Sequence, residues 1–204
     1  RLNPNRLEVK RLVTSGQLGS ITHVEANISH NLFADAGPPE WRALYDNAPA
    51  GGLVHMGAHI VDAYIDMFGE IASVFAIACG PIDDAAFEFA ATNSVLFKFR
   101  NGMTGYLGSS LSTPRNARLQ VFGTDGWLEE RGEGEVTLVR SGSDPEIRKH
   151  PNTNTTRAMV GLFADAAGGG APYPISTDQM IHGAAVLEAV TRSLESGGTE
   201  AVDD

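Results

Sequence analysis

Apolar positions along this chain change period several times, and each change marks an element. The clearest helical stretch begins at Gly51-Gly52. From there Leu53, Met56, Ile60, Tyr64 and Met67 share one helical face, and Val54, Ala58, Val61 and Ile65 a neighbouring one. His55, His59, Asp62 and Asp66 fall together in the narrow stripe that remains. A helix apolar round most of its circumference is buried on most sides, so this stripe looks either into water or into a cleft. The pattern predicts a helix over residues 51–67, closed by Gly69.

The same reading, taken from the start, gives a first helix on Leu7, Val9, Leu12 and Val13, with Asn3 as N-cap and Pro4 at the first helical position. Ser15-Gly16 stops it. Residues 21–29 then alternate as a strand with Val24, Ala26 and Ile28 on the covered face. Residues 31–50 form a long connection holding Trp41 and Arg42, and irregular stretches of that length inside a domain are usually functional or disordered. Further strands are expected at 72–78, 87–92, 94–99, 103–112, 117–122, 127–130 and 135–140. Asn101-Gly102 and the run Gly123-Thr124-Asp125-Gly126 supply tight turns between them. Residues 141–156 read as a polar loop and 158–167 as a short helix. A last helix opens with the capping box Ser176/Gln179 and ends at Gly197-Gly198. The expected class is α+β: an open, mostly antiparallel sheet running as a meander, with the helices on one face.

Composition narrows the functions open to such a fold. The net charge of −10 argues against nucleic acid and anionic membranes, which need clustered Lys and Arg. The single Cys79 excludes a disulfide framework and a multi-thiolate metal site; it sits in an apolar strand and reads as a buried, inert thiol suited to a reducing cytoplasm. No apolar run is long enough to span a bilayer, and cytoplasmic placement is expected. The chain opens Arg1-Leu2-Asn3-Pro4 without Met, as a piece of something longer would.

The chemistry-bearing residues gather on the main helix. His55 and His59 are four apart, and Asp62 lies one turn beyond His59, a spacing in which a carboxylate can fix an imidazole tautomer for proton transfer. The alternatives are a solvated polar face, or histidines satisfied by backbone groups. His-x-x-x-His is also zinc-ligand spacing with Asp62 as a third ligand, although Met56 stands where zinc proteases carry their glutamate base. Gly51-Gly52 leaves N–H groups open to a polarised atom or serves as a plain loop–helix junction. Trp41-Arg42 either clamps a polar ligand or anchors its loop. No dinucleotide fingerprint, P-loop or nucleophile elbow is present, so any site on the His stripe is only half supplied by these residues.

In order and spacing, several segments resemble the C-terminal domain of the glucose-fructose oxidoreductase/inositol dehydrogenase (Gfo/Idh/MocA) family, a dihydrodipicolinate-reductase-like fold. They are Arg1 with Pro4, residues 15–21 leading into Val24-Glu25, Trp41-Arg42, and Gly51-Gly52-Leu53 with Met56-Gly57, His59 and Asp62. Phe68-Gly69-Glu70, Phe97 and Phe99 before Asn101-Gly102, residues 121–126 and Ser193–Gly197 complete the set. The resemblance covers nearly all of residues 1–204 and implies a substrate-binding and oligomerisation domain of an NAD(P)-dependent oxidoreductase. An N-terminal Rossmann domain, outside this chain, would bind NAD or NADP.

The substrate implied is a polyol, sugar or related diol with a secondary alcohol or ketone, and the open sheet face would join a homo-oligomer. In the family a lysine of a Glu-Lys-Pro motif, upstream of these residues, and a histidine on this helix handle the alcohol proton; the histidine corresponds to His59. His55 would position substrate or relay the proton. Gly51, Gly52 and Asp62 would contact substrate, and Trp41 and Arg42 would line the mouth facing the cofactor. Many members carry an acid where this chain has His55, which brings carboxylated or aromatic diols into the range. A non-catalytic binding or assembly module of the same fold is the alternative from another class.

Overall fold

The computed structural model describes residues 1–31, 44, 50–79, 91–132 and 134–203. Its first helix, α1 (Pro4–Thr14), starts where the Asn3-Pro4 pair predicts: the Asn3 side chain accepts the Asn5 N–H at 2.9 Å, and proline's missing donor costs nothing in the first turn. Strand β1 (Ile21–Ser29) follows with Val24 and Ala26 fully buried. After the main helix come β2 (Ile71–Cys79), β3 (Thr92–Phe99), β4 (Thr104–Ser110), β5 (Asn116–Gly123), β6 (Gly126–Arg131), β7 (Glu135–Arg140) and β8 (Glu146–Lys149).

All these strands join β9 (Thr199–Ala201) in one nine-stranded sheet, in the order β8-β7-β6-β5-β1-β4-β3-β2-β9. The hairpin runs β2–β4 and β5–β8 behave as the expected meander. They do not touch each other directly. Strand β1 lies between them, antiparallel to β5 and parallel to β4, with Val24 opposite Val121 on one side and Gly105 on the other. Tight turns can join only antiparallel neighbours, so β1 has to be brought to β4 by the long excursion through the main helix, and local turn signals could not reveal that pairing. Small residues on β4 make it possible: a Cβ at Gly105 would stand 3.2 Å from Val24 and 3.1 Å from the Phe99 ring.

One face of the sheet is covered. Helix α1 lies over β6 and β7, and the last helix over β2. Leu107, Val95, Leu119, Val121, Leu128, Val136 and Leu138 point toward these helices and are buried to 3% exposure or less, each such side chain being worth about 1.5–3 kcal/mol of transfer free energy. The other face carries His23, Glu25, Tyr106, Gln120 and Trp127, with Leu96 and Ile77 more than half exposed.

Two short strands escape the sequence pattern. Strand β8 falls in the stretch expected to be a loop. As an edge strand it is charged, and Arg148 reaches across to Glu8 on α1. Strand β9 has three residues, too few for alternation to register. The strand expected at 87–92 falls outside the described residues except for Ala91 and Thr92, where β3 begins.

The reading of Cys79 as buried is overturned. It is the final residue of β2, whose last three positions are exposed, and its thiol is free and open to solvent. An apolar run predicts a strand, but not how far the covering helix extends along it.

The Glu8 cluster carries a pH signature. Hydrogen bonds from Arg11, and then from Arg148, hold the Glu8 carboxyl down at about 2, against an ordinary 4.5. A depressed carboxylate stabilises the fold above its unfolded value, and that contribution disappears as pH falls from about 4.5 toward about 2. Glu8→Gln should therefore unfold at lower urea than wild type at neutral pH, with the gap narrowing below about pH 4.5 and closing near about pH 2. Urea midpoints measured across that range check it; a gap that does not change with pH contradicts it.

Candidate functional site

The predicted main helix is two structures in series. Leu53–Gly57 winds as a π-turn and Ala58–Phe68 as an α-helix, α2. The Ala58 N–H donates to the Leu53 carbonyl five residues back, so the turn holds one residue more than an α-turn. Glycines let it sit close to the sheet. A Cβ at Gly52 would stand 3.0 Å from the Leu111 side chain, and one at Gly57 2.6 Å from Leu53 and 3.3 Å from Leu107. Between those two anchor points β4 and β3 present Ser109 and Asn93, opposed in register and each 1% exposed, beneath the π-turn. These buried polar residues were not flagged by the sequence; their only signal is a polar residue on the apolar phase of each strand.

The helix buries part of the two faces its pattern predicts, with Val54, Met56, Ala58 and Met67 half-buried. Leu53, Ile60, Val61, Tyr64 and Ile65 are all at 5% exposure or less. Tyr64 donates its hydroxyl to the Tyr106 carbonyl at 2.7 Å and packs edge-on against Phe97. Burial pushes its phenol well above the ordinary tyrosine range, so it remains a neutral donor.

The polar stripe divides into three fates. His59 is exposed and lines a cavity of about 380 Å³, whose other described walls are Arg1, Leu2 and Asn3 on one side and Thr155, Thr156, Met159 and Val160 on the other. That second wall is helix α3 (Thr155–Ala167), capped by Asn154. His55 lies one turn earlier, part-buried in the π-turn with its Nε2 shielded from solvent, and is not part of the described lining of this cavity. The π-turn adds one residue to the turn between His55 and the α-helix that carries His59.

Asp62 and Asp66 are held by Arg1. The guanidinium donates to both Asp62 oxygens, at 2.7 and 3.0 Å, to Asp66 at 2.9 Å, to the Gln179 amide oxygen at 2.9 Å and to the Pro174 carbonyl at 3.2 Å. Lys10 adds a second cation on Asp66 at 2.8 Å. The Arg1 side chain is 6% exposed, so this is a shielded junction joining the chain's first residue, α2 and the final helix, α4 (Thr177–Ser196). The Asp62 carboxylate thus orients Arg1; among the described residues it makes no hydrogen bond to His59. The same engagement separates it from the two imidazoles as a metal ligand, and the described residues contain no group of three or more His, Cys, Asp or Glu placed to hold a metal ion.

Gly51 and Gly52 are buried, and Gly52 closely approaches Leu111 and the Ala91 carbonyl of this chain; neither glycine is in the described lining of the His59 cavity. The Leu53 and Val54 N–H groups that follow them are bonded to Ala50 and Gly51 carbonyls. Trp41 and Arg42 lie outside the described residues. The wall of α3 was expected only as a short helix, and the part its Thr155, Thr156 and Met159 play at the cavity was not read from the sequence. What the site can do follows from its parts. An accessible imidazole faces a space with hydroxyl and amide groups (Asn3, Thr155, Thr156) and apolar surface (Leu2, Met159, Val160), and the Arg1 guanidinium of the described wall is already neutralised by two carboxylates. That is a setting for moving a proton on an uncharged, hydroxyl-bearing molecule.

The described residues contain no helix long and apolar enough to cross a membrane. Over 149 residues the chain is 24% identical to scyllo-inositol 2-dehydrogenase (NADP(+)) of Bacillus subtilis, a match covering 69% of this chain and 38% of that protein. Among solved structures, an oxidoreductase from Thermotoga maritima superposes with a TM-score of 0.80 at 24% identity, over 98% of this chain and 59% of its own. Levoglucosan dehydrogenase, solved with NADH and L-sorbose, superposes with a TM-score of 0.78 at 16% identity, over 96% of this chain and 62% of its own. The chain therefore spans less than two thirds of each of these proteins, and the structural likenesses speak to the fold. Residues 7–129, more than half of the chain, match the family model for the GFO/IDH/MocA C-terminal domain, and the chain belongs to that family.

Proposed function

We propose that this chain is the substrate-binding domain of an NAD(P)-dependent oxidoreductase that moves hydride between the nicotinamide and a secondary alcohol or ketone of a sugar, cyclitol or related diol, with His59 as the acid/base. The observation that carries the proposal is the exposed His59 ring in the cavity of about 380 Å³ between Arg1–Asn3 and α3. Family membership and the naming of the relatives as inositol and levoglucosan dehydrogenases support the substrate class.

The nicotinamide, held mainly by a separate Rossmann domain, supplies the hydride acceptor. The lining suits a flat nicotinamide ring beside a polyol: Leu2, Met159 and Val160 give apolar surface, and no unpaired acid of the described wall would repel the cofactor's phosphates. His59 takes the hydroxyl proton on a ring nitrogen facing the cavity as the carbonyl forms, and returns it in reduction. Asn3, Thr155 and Thr156 orient the remaining hydroxyls. His55 backs this site from within the π-turn, as a relay or a steadying contact. Trp41 and Arg42 are assigned to the cofactor side on the resemblance alone, and Gly51 and Gly52 shape the turn. The open sheet face, with Leu96 and Ile77 exposed on it, is the proposed homo-oligomer contact.

The experiment is direct. The full-length protein is mixed with NAD⁺ or NADP⁺ and a panel of cyclitols, aldoses and carboxylated diols, and reduced nicotinamide is followed by absorbance. Turnover with at least one neutral polyol is expected. Silence with both nucleotides across the panel, together with no dinucleotide binding, would mark a binding or assembly module instead.

A further inference from the structure

A second cavity, of about 300 Å³, adjoins the Arg1 junction. Its described walls are Ile65 of α2, Glu70 just before β2, and Asp178, Gln179, Ile181 and His182 in the first turns of α4. Gln179 accepts a hydrogen bond from Arg1 at 2.9 Å, and Arg1 lines the His59 cavity, so one hydrogen bond links the walls of the two cavities. The volume lies at the lower end of the range for small-molecule sites, about 300–1,000 Å³.

The charges of this lining are out of balance. Arg100 answers Glu70 at 3.0 Å. Asp178 makes no hydrogen bond or ion pair among the described residues; its place in the first turn of α4 suits a carboxylate. Within the described lining only His182, 4% exposed, could supply a positive charge from inside. It does not. Its Nε2 accepts the Ile71 N–H at 2.9 Å, so that nitrogen carries a lone pair and the ring is neutral. A bare metal ion is a poor occupant too, because Glu70, Asp178 and His182 are not placed as a metal-binding group. The remaining walls, Ile65 and Ile181, are apolar, and Ile181 is 55% exposed. A cation that carries its own hydrocarbon matches both parts of the lining: its charge meets the acids, and its stem covers the isoleucines.

We propose that this cavity is a binding site for a small organic cation, an ammonium group on a short hydrocarbon body. Asp178 and Glu70 hold the ammonium, and the hydrocarbon lies on Ile65 and Ile181. The site is separate from the His59 cavity and stands whether or not the nicotinamide reading of that cavity holds. Its test is isothermal titration calorimetry on the full-length protein at low ionic strength, where exposed charges are least screened. The probe is n-butylamine, with n-butanol and magnesium chloride as controls. Butylamine should bind saturably and at least about tenfold more tightly than butanol, which has the same stem without the charge. Asp178→Asn and Glu70→Gln preserve side-chain size at exposed positions, so the fold is retained. Each should weaken butylamine binding about threefold or more. Absence of saturable butylamine binding overturns the proposal. Butanol or magnesium binding as tightly as butylamine also overturns it, since the cavity would then be a plain apolar cleft or a counter-ion site. Undiminished butylamine binding in either variant does the same, because the amine would then sit elsewhere.

Discussion

Replacing His59 with alanine in the full-length enzyme lowers kcat by about 10²–10⁴-fold, the usual worth of a positioned acid/base, and leaves the melting temperature within the error of wild type. The two halves of that result belong together. His59 is exposed at the cavity and is not part of the buried helix faces, and surface substitutions of this kind change stability by no more than about 0.5 kcal/mol. A large loss of turnover in a fully folded protein therefore points to chemistry. His59→Gln sharpens it: the amide can still hydrogen-bond a hydroxyl but cannot take its proton, so KM should move less than kcat. A loss of turnover under about tenfold would contradict the acid/base role.

The largest structural effect is expected at the Arg1 junction. Asp66→Ala removes the carboxylate shared by Arg1 and Lys10 and leaves a guanidinium of 6% exposure facing one remaining acid, itself 35% exposed. Arg1 keeps Asp62, so the loss is that of a charge-assisted hydrogen bond in a shielded site, about 1.5–3 kcal/mol. A loss of about 2 kcal/mol is the expected result for Asp66→Ala, read from urea unfolding. Lys10→Ala removes only the exposed arm of the cluster and should cost under about 1 kcal/mol. Equal losses from the two variants would show that Arg1 is not the centre of the junction. Because Arg1 also lines the cavity, Asp66→Ala should raise KM as the wall loosens.

Much of this architecture is legible in the order of residues because the signals are local. The Asn3-Pro4 start, the Ser176/Gln179 capping box and the Asn101-Gly102 turn are each settled by atoms a few residues apart, and each forms as read. The α+β class follows from the same signals. Pairing does not: β1 reaches β4 only through packing of the whole chain, and nothing near residues 21–29 encodes Gly105 as a partner.

The site shows the same division. The wheel that separates His59 from Ile60 and Tyr64 is correct where the helix is α, and it does not foresee the π-turn that holds His55. Asp62 looked like a partner for His59 because sequence spacing shows neighbours on one helix. It cannot show that Arg1, 61 positions away, takes both carboxylate oxygens. The exposure of Cys79 and the wall formed by Thr155 and Thr156 likewise depend on where a distant helix ends.

The proposal that His59 handles the substrate proton is tested most directly by the structure of the full-length enzyme with reduced nicotinamide and a bound polyol. The predicted result places a His59 ring nitrogen about 2.6–3.2 Å from the reacting oxygen, inside the cavity between Arg1–Asn3 and α3. A polyol bound productively against the nicotinamide with His59 out of hydrogen-bond reach, and no water between them, would contradict it.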